Sequence, residues 1–268
     1  MTGESGKSGV HVRVDGSRLS PVDRTFTLML RCPICASDEA DTLGVTGSDV
    51  GSPDATVIMR CEDCSAVYLS PRASGPDRSP LASVDTLFSR SRLRRWSRGL
   101  PASAKILCVT PADCIPESGG YDLILLSRSL ESADDPSALL RQAAGLLAPG
   151  GRVVVIGGNA ASSCFALFGG RHWNGYQFPQ TRLQLTPAAL RRASTNAGLR
   201  IIKIATESDA QAWLHSTANW LHDWDLSPAL VHLLTGRWLL PQAVAALLEG
   251  LAAARGRAAL LVAQLERP

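Results

Sequence analysis

A strand–helix–strand segment is the feature that most constrains the fold of this chain. Residues 121–126 form an apolar run typical of a buried strand, and residues 137–147 carry apolar side chains at helical spacing. The Pro-Gly-Gly sequence at residues 149–151 ends that helix, and residues 152–157 form a second strand rich in valine. A βαβ unit with such short connections predicts a parallel sheet with right-handed crossovers, and therefore an α/β fold.

The same segment resembles the later half of a class I S-adenosylmethionine (SAM)-dependent methyltransferase. The landmarks that match are Tyr-Asp-Leu-Ile at residues 121–124, Leu-Glu-Ser at 130–132 and Leu-Ala-Pro-Gly-Gly-Arg-Val-Val-Val at 147–155. The run Gly-Gly-Arg-His-Trp-Asn-Gly at 169–175 is similar to a narrower branch, which carries a zinc ribbon in front and often acts on small molecules such as natural-product intermediates. The resemblance covers residues 28–72 and 105–204.

Two Cys-x-x-Cys pairs form the most specific motif in the chain. They comprise Cys32 with Cys35 and Cys61 with Cys64. Four thiolates at this spacing suit a tetrahedral zinc ion with bonds of about 2.3 Å, and such a closed site stabilises a fold and leaves no open position for catalysis. We therefore predict structural zinc; an iron site, a redox pair or unrelated buried cysteines are the alternatives.

These motifs divide the chain into four predicted parts. They are a disordered lead-in (1–24), a zinc ribbon (25–72), a linker with a basic amphipathic helix (73–104) and a degenerate methyltransferase-like domain (105–268) with a helical insertion at about 209–255. The predicted fold class is thus α/β: a truncated Rossmann-like class I methyltransferase sheet with an N-terminal zinc ribbon and a C-terminal helical insertion. We expect a cytoplasmic protein, since the sequence has no signal peptide and no long apolar span.

The chain ahead of residue 121 is too short for the cofactor-binding half that the resemblance implies. That half needs a glycine-rich turn and, on a later strand, an acidic residue for the ribose; we call these the SAM cradle. Residues 73–120, 48 in number, hold one evident helix and one evident strand at 105–109, without a Gly-x-Gly-x-Gly sequence. That strand is either the family's first or its third, and we favour the third; in both cases the SAM cradle is incomplete.

Two histidines that the resemblance implies are also replaced. The family's Leu-Glu-His reads Leu-Glu-Ser at residues 130–132, and its Pro-Arg-His-Leu reads Pro-Gln-Thr-Arg at residues 179–182. Histidine is the usual general base near neutral pH. SAM is therefore not expected as a cofactor.

A candidate pocket follows from the position of the strands, because α/β sheets bind ligands at the carboxyl ends of their strands. The polar residues that follow the two predicted strands, and the side chains that could close over them, are Ser127, Arg128, Glu131, Asn159, Trp173, Tyr176 and Arg182. A small-molecule ligand is the expected occupant.

Three functions remain open at this point. The favoured one is a degenerate methyltransferase-like zinc protein that acts as a partner, a scaffold or a repurposed enzyme in small-molecule biosynthesis. The second is an active SAM-dependent methyltransferase that acts on a small metabolite. The third is a zinc-ribbon nucleic-acid-binding protein that uses the arginines of residues 90–98.

Partners are predicted from the same features. The alanine- and leucine-rich C-terminal helices, apolar nearly all round, predict burial in the core or in an interface with another biosynthetic enzyme or a second copy of the chain. Nucleic acid is not expected, because the net charge is only +3 and the basic run is one helix long. No membrane partner is expected.

Overall fold

The described part of the chain contains two β-sheets flanked by helices. The computed structural model describes residues 31–46, 56–70, 94–169 except 112 and 114, 172–176, 181–222 and 238–268, with 224, 229 and 231. The predicted lead-in at 1–24 and most of the predicted basic helix, including Arg90 and Arg92, lie outside these residues.

The strands and helices follow the sequence pattern closely. The strands are β1 (Ala40–Thr46), β2 (Thr56–Cys61), β3 (Val67–Ser70), β4 (Ile106–Val109), β5 (Tyr121–Ser127), β6 (Leu147–Gly158), β7 (Leu183–Gln184), β8 (Arg200–Glu207) and β9 (Leu260–Glu266). The helices with defined bounds are α1 (Ser129–Ser132), α2 (Pro136–Gly145), α3 (Ser163–Phe168), α4 (Pro187–Asn196), α5 (Ala210–His222) and α6 (Leu239–Ala254).

The larger sheet has the order β4-β5-β6-β9-β8. Strands β4, β5 and β6 are parallel, whereas β9 is antiparallel to both β6 and β8. The last strand, β9, thus lies between β6 and β8. The mixed α/β architecture agrees with the predicted fold class.

Both faces of this sheet are buried, because successive side chains of the central strands point into two different cores. In β5, Ile124 and Leu126 point into the core shared with α2, α4 and the cysteine-containing segment, while Leu123 and Leu125 point to the opposite face. On that opposite face Trp96 packs against them and is itself 3% exposed. Strands that are buried on both faces read as continuous apolar runs, which is why residues 121–126 show no polar alternation.

The smaller sheet joins the N-terminal segment to the rest of the molecule. Its order is β1-β2-β3-β7, with all pairs antiparallel. Because β7 comes from the stretch after α3, the cysteine-containing hairpin is continued by a strand of the larger domain. Tyr68 of β3 and Leu126 of β5 share one core.

Strand β6 begins earlier than predicted. The Pro-Gly-Gly sequence was expected to separate α2 from a strand at 152–157, yet the strand already starts at Leu147, paired with Tyr121. A Cβ on Gly151 would lie 2.6 Å from the carbonyl oxygen of Tyr121. Only glycine allows this approach of two backbones, so the glycine serves the strand as well as the helix end.

The third-strand interpretation of residues 105–109 is wrong. Strand β4 lies directly beside β5, in register from Ile106 with Leu123 to Val109 with Leu126. In the usual doubly wound order 3-2-1-4-5-6, the neighbour of the fourth strand is the first, and the third lies two places further out. Within the described residues no strand pairs with the other edge of β4.

Helix α6, predicted to be buried in the core or in an interface, is only partly covered by the described residues of this chain. Its buried residues are Ala245, Glu249 and Ala252, whereas Leu240 is 74% exposed and Leu247 is 63% exposed. The helix therefore presents an apolar stripe to its surroundings. None of the described helices is both long enough and apolar enough to cross a membrane.

A buried carboxylate fixes α6 to the molecule. One oxygen of Glu249 accepts hydrogen bonds from the backbone N–H of Asp209 (2.9 Å) and of Ala259 (2.7 Å). The other accepts one from the indole N–H of Trp213 at 2.8 Å. Three donors on one carboxylate compensate its desolvation and join the start of α5, the end of α6 and β9.

Replacement of this carboxylate is therefore expected to destabilise the fold. We predict that Glu249→Ala lowers the free energy of unfolding by about 3 kcal/mol or more, because three buried donors lose their acceptor. Urea unfolding followed by circular dichroism measures the change. The control Glu117→Gln alters an exposed carboxylate and should shift stability by less than about 0.5 kcal/mol. Equal stabilities of the two variants would contradict the role assigned to Glu249.

Candidate functional site

The four predicted metal ligands come together in space. The sulfur atoms of Cys32, Cys35, Cys61 and Cys64 all lie within 4.8 Å of one another. The distances between Cys32 Sγ and Cys64 Sγ and between Cys35 Sγ and Cys61 Sγ are 3.5 Å and 3.4 Å. A tetrahedral ion with bonds of about 2.3 Å places its sulfur ligands about 3.8 Å apart, so the spacing fits one zinc ion.

The electrostatics of these thiols also favour a cation. The contact with Cys64 lowers the pKa of Cys32 to about 5, whereas the same contact raises the pKa of Cys64. Burial raises the pKa of Cys35 to about 11. Four sulfurs packed this closely cannot all ionise against one another, and a divalent ion would remove that conflict.

A second group of polar side chains lies at the carboxyl ends of β5 and β6. We call Ser127, Arg128, Glu131 and Gln184 the polar cluster; each is at most 6% exposed. Arg128 adopts the left-handed conformation, with φ 53° and ψ 5°, directly before α1. This conformation turns the chain at the end of β5 and places the side chains of Arg128 and Glu131 3.7 Å apart as an ion pair.

Two glycines make room for Glu131. The backbone N–H of Gly158 donates a short hydrogen bond to Glu131 Oε1, and a Cβ on Gly157 would lie 2.8 Å from the same oxygen. Burial raises the pKa of Glu131, while the Arg128 charge and the Gly158 N–H offset part of that rise. Desolvation is the larger effect, so the net shift of this pKa is upward.

Several atoms of the polar cluster lack a hydrogen-bond partner among the described residues. They are Ser127 Oγ, Arg128 Nε and Nη1, Glu131 Oε2 and Gln184 Oε1, with Ser132 Oγ and Trp173 Nε1 beside them. Buried polar atoms are normally satisfied by protein, water or ligand. This arrangement of donors and acceptors can bind ordered water or a small polar group at the carboxyl edge of the sheet.

The other sequence-predicted pocket residues occupy three different places. Trp173 packs over Gly158, whereas Tyr176 donates from its hydroxyl to the carbonyl of Gly169 at 2.8 Å. The backbone N–H of Arg182 donates to the carbonyl of Glu131 at 2.8 Å, and its side chain pairs with Asp134.

Asn159 points away from the polar cluster. It donates to the carbonyl of Ala258 at 2.8 Å and accepts from the N–H of Ala161 at 3.0 Å. These bonds fix the turn that follows β6. The side chain lies on an open groove next to this turn.

Sequence reasoning missed Gln184, Arg60 and Arg257. Gln184 donates to the carbonyl of Gly175 at 2.6 Å and lies on β7, which is only two residues long. A polar residue between two leucines, Leu183 and Leu185, was the available signal for its burial. Arg60 and Arg257 line the groove beside Asn159 from opposite ends of the chain, and no local pattern links them.

Hydrogen bonds hold the described backbone at the carboxyl ends of β4 and β5. In doubly wound folds this is the position where the strand order reverses and a nucleotide binds. Here Ser129 Oγ donates to the carbonyl of Val109 at 2.7 Å, which ties α1 to the end of β4. Asp113 accepts from both the N–H and the hydroxyl of Thr110 at 2.7 Å and folds the next turn on itself.

Comparison with known proteins identifies one matching family. The family model described as "Methyltransferase domain" matches residues 49–204. No curated protein matches this chain.

Solved structures with similar folds are distant. The mitomycin 7-O-methyltransferase has 13% identity and a TM-score of 0.32, with 57% of this chain and 31% of that chain covered. An O-methyltransferase from a Brevibacillus brevis multienzyme has 16% identity and a TM-score of 0.30, with 58% and 46% covered. A Haloferax volcanii complex that contains a methyltransferase activator has 16% identity, a TM-score of 0.33 and 58% of each chain covered. The chain thus spans about a third to somewhat over half of these proteins.

The raised pKa of Glu131 predicts how stability depends on pH. Because the folded state holds this proton more tightly than the unfolded state, stability falls as pH rises from the ordinary value of 4.5 towards the raised value. Glu131→Gln retains the acceptor for Gly158 and removes the titration. We expect the variant to gain up to about 1.4 kcal/mol per pH unit relative to the parent within that window, measured by urea unfolding at several pH values. A difference that stays constant with pH, or shrinks, would contradict the assignment.

Proposed function

Because this chain belongs to the methyltransferase domain family, we propose that it is a zinc-stabilised member that has lost the SAM cradle. In this proposal the protein serves small-molecule biosynthesis as a ligand-binding partner or scaffold, or as a repurposed enzyme. Membership of the family accounts for the sheet and for a ligand site at its carboxyl edge. The loss of the SAM cradle, the zinc site and the partner are inferred from features of this chain.

The connection between β4 and β5 carries this proposal. Strand β4 takes the place of the first strand and β5 that of the fourth, yet only residues 110–120 join them. In a complete fold the glycine-rich turn, the acidic residue and two further strands lie between these two positions. Eleven residues are close to the minimum for any parallel crossover, so they leave no chain for the SAM cradle.

Two further observations support the same proposal. Ser129 and the turn held by Asp113 lie at the end of β4, where a nucleoside would approach the backbone. Ser132 stands where the family carries a histidine. A serine hydroxyl does not replace an imidazole as a general base near neutral pH.

Structural zinc is the second part of the proposal. Cys32, Cys35, Cys61 and Cys64 would hold the ion through four thiolates. When bound, zinc supplies cross-linking and charge neutralisation and no catalytic position. The ion would fasten the turn before β1 to the turn between β2 and β3. Since β3 pairs with β7, that fixation would extend to the carboxyl edge of the larger sheet.

The partner in this proposal contacts the exposed face of α6. The stripe contains Leu240, Val244, Leu247, Leu248 and Leu251, and the only carboxylate of the helix, Glu249, is buried. An uncharged helical stripe is typical of a protein interface. Another biosynthetic enzyme or a second copy of the chain would cover it.

An active SAM-dependent methyltransferase is the alternative function. The family match runs from residue 49 to residue 204 and so includes the stretch in which the SAM cradle is expected. Methyl transfer needs mainly positioning, so the loss of histidines alone would not abolish it. Binding of SAM separates the two functions.

Titration of the purified full chain with labelled SAM tests the proposal. We expect no saturable binding up to millimolar concentration, because the described residues provide no further strand beside β4 to carry an acidic side chain for the ribose. An intact methyltransferase measured in parallel controls for the quality of the ligand. A dissociation constant in the micromolar range would overturn the proposal in favour of the active enzyme.

Metal analysis tests the zinc site independently. We predict one zinc per chain and expect Cys61→Ser to lose it. Loss of the ion should lower the free energy of unfolding by about 3 kcal/mol. At about 2–4 °C per kcal/mol for a chain of this length, the Tm should fall by about 10 °C. The matched control Cys108→Ser replaces an exposed cysteine on β4 outside the cluster and should retain both the zinc and the Tm. Parent protein without metal, or a Cys61→Ser variant with full zinc content, would contradict the assignment.

A further inference from the structure

An open groove lies between the cysteine-containing hairpin and the carboxyl edge of the larger sheet. Its volume is about 800 Å³, within the range of small-molecule sites. The residues that matter for its chemistry come from β1, β2, the segment after β6, the start of α4 and the turn before β9; they are Leu43, Arg60, Asn159, Phe165, Thr186 and Arg257. None of the four residues of the polar cluster lines this groove.

One wall of the groove is apolar. Leu43 and Phe165 line it together with the alanines at positions 160, 161 and 166. The Phe165 ring is held by an edge contact with Trp173, with centroids 4.9 Å apart. Because Phe165 is itself 3% exposed, it supports the wall from behind, and Leu43 and Ala166 offer the apolar surface to the body of a ligand.

Two arginines supply positive charge to the same groove. The Arg60 guanidinium lies 5.5 Å from the centre of the Phe165 ring, on which it stacks. Arg257 donates through Nε to the carbonyl of Ala161 at 3.3 Å, and neither terminal nitrogen has a hydrogen-bond partner in the part of the chain that the structure describes. Asp41 is the cross-strand neighbour of Arg60, yet no described carboxylate forms an ion pair with either arginine.

Besides the arginines and Ser65, the polar side chains that line the groove are already engaged. Asn159 holds the turn after β6, and Ser162 accepts from the N–H of Phe165 at 3.0 Å. Thr186 accepts from the N–H of Ala189 at 3.1 Å and so caps α4, whose positive N-terminal end adds to the local field. The free hydrogen-bonding capacity in the groove is therefore mainly that of two cations, beside an apolar wall.

We propose that this groove binds a small molecule that has an apolar body and one anionic group, a phosphate or a carboxylate. The anion lies between Arg60 and Arg257, and the body lies along Leu43 and the alanines at positions 161 and 166. Planar guanidinium groups match both anions through paired hydrogen bonds. The inference deepens the proposed function and rests on its small-ligand role, because it names the chemical class of that ligand.

Calorimetric titration with three eight-carbon probes tests this inference on the full chain. The probes are octyl phosphate, octanoate and 1-octanol, which share the apolar body and differ in the head group. We expect at least one anion to bind about tenfold or more tightly than the alcohol, because a charge-assisted contact is lost in the alcohol. The anion that binds more tightly identifies the head group. Equal binding of all three, or no binding of either anion, would overturn the proposal.

Charge-matched variants locate the bound probe. Arg257→Gln should weaken binding of the preferred anion about tenfold or more and leave the weak binding of 1-octanol unchanged. The control Arg255→Gln removes the same charge two residues away, where the guanidinium donates to the carbonyl of Leu251 outside the groove, and should bind like the parent. Arg60→Gln is a second test from the other wall. Equal affinities of Arg257→Gln, Arg60→Gln and Arg255→Gln would contradict a site in this groove.

Addition of SAM separates this inference from the proposed function. If SAM binds and the anion still requires Arg257, the loss of the SAM cradle is wrong while the groove ligand stands. If neither anion binds and SAM does not bind either, the groove inference fails and the proposed loss of SAM binding remains.

Discussion

The direct pairing of β4 with β5 is the constraint on which the rest of the molecule depends. Four consecutive residue pairs fix the register from Ile106 with Leu123 to Val109 with Leu126. Eleven residues then make the crossover between these two parallel strands, and Ser129 ties the start of α1 to the end of β4. The proposed loss of the SAM cradle rests on this short connection.

The N-terminal hairpin is joined to the larger domain through β7 and the start of α4. Its exit strand β3 pairs with β7, and Thr186 at the start of α4 lies 3.4 Å from the carbonyl of Cys64. A metal site that clamps the hairpin would thus also hold the segment that carries Gln184. This coupling gives a physical reason for a closed four-cysteine site beside a ligand groove: an ion with no role in a reaction can still position Arg60 against Phe165.

The sequence predicted those elements whose signal is local. The apolar run at β5, the helix that Pro136 begins and the two Cys-x-x-Cys turns were identified correctly, because periodicity and ligand spacing are short-range properties. The neighbour of β4 was not predictable, since a four-residue edge strand with two exposed residues carries no information about pairing. Three-dimensional proximity of distant residues was equally inaccessible: Arg60 and Arg257 line one groove only because β2 and the turn before β9 meet beyond the end of β6. The environment of α6 was left open for a related reason, because an apolar sequence does not show whether the core or a partner covers it.

A crystal structure of the full chain grown with excess S-adenosylhomocysteine tests the central claim most directly. The same electron density reports both the neighbours of β4 and the space at its carboxyl end. We predict that β5 is the only strand paired with β4 and that no nucleoside lies against Val109 or Asp113. A further strand on the outer edge of β4, with a nucleoside at its end and an acidic side chain on the ribose, would contradict the account.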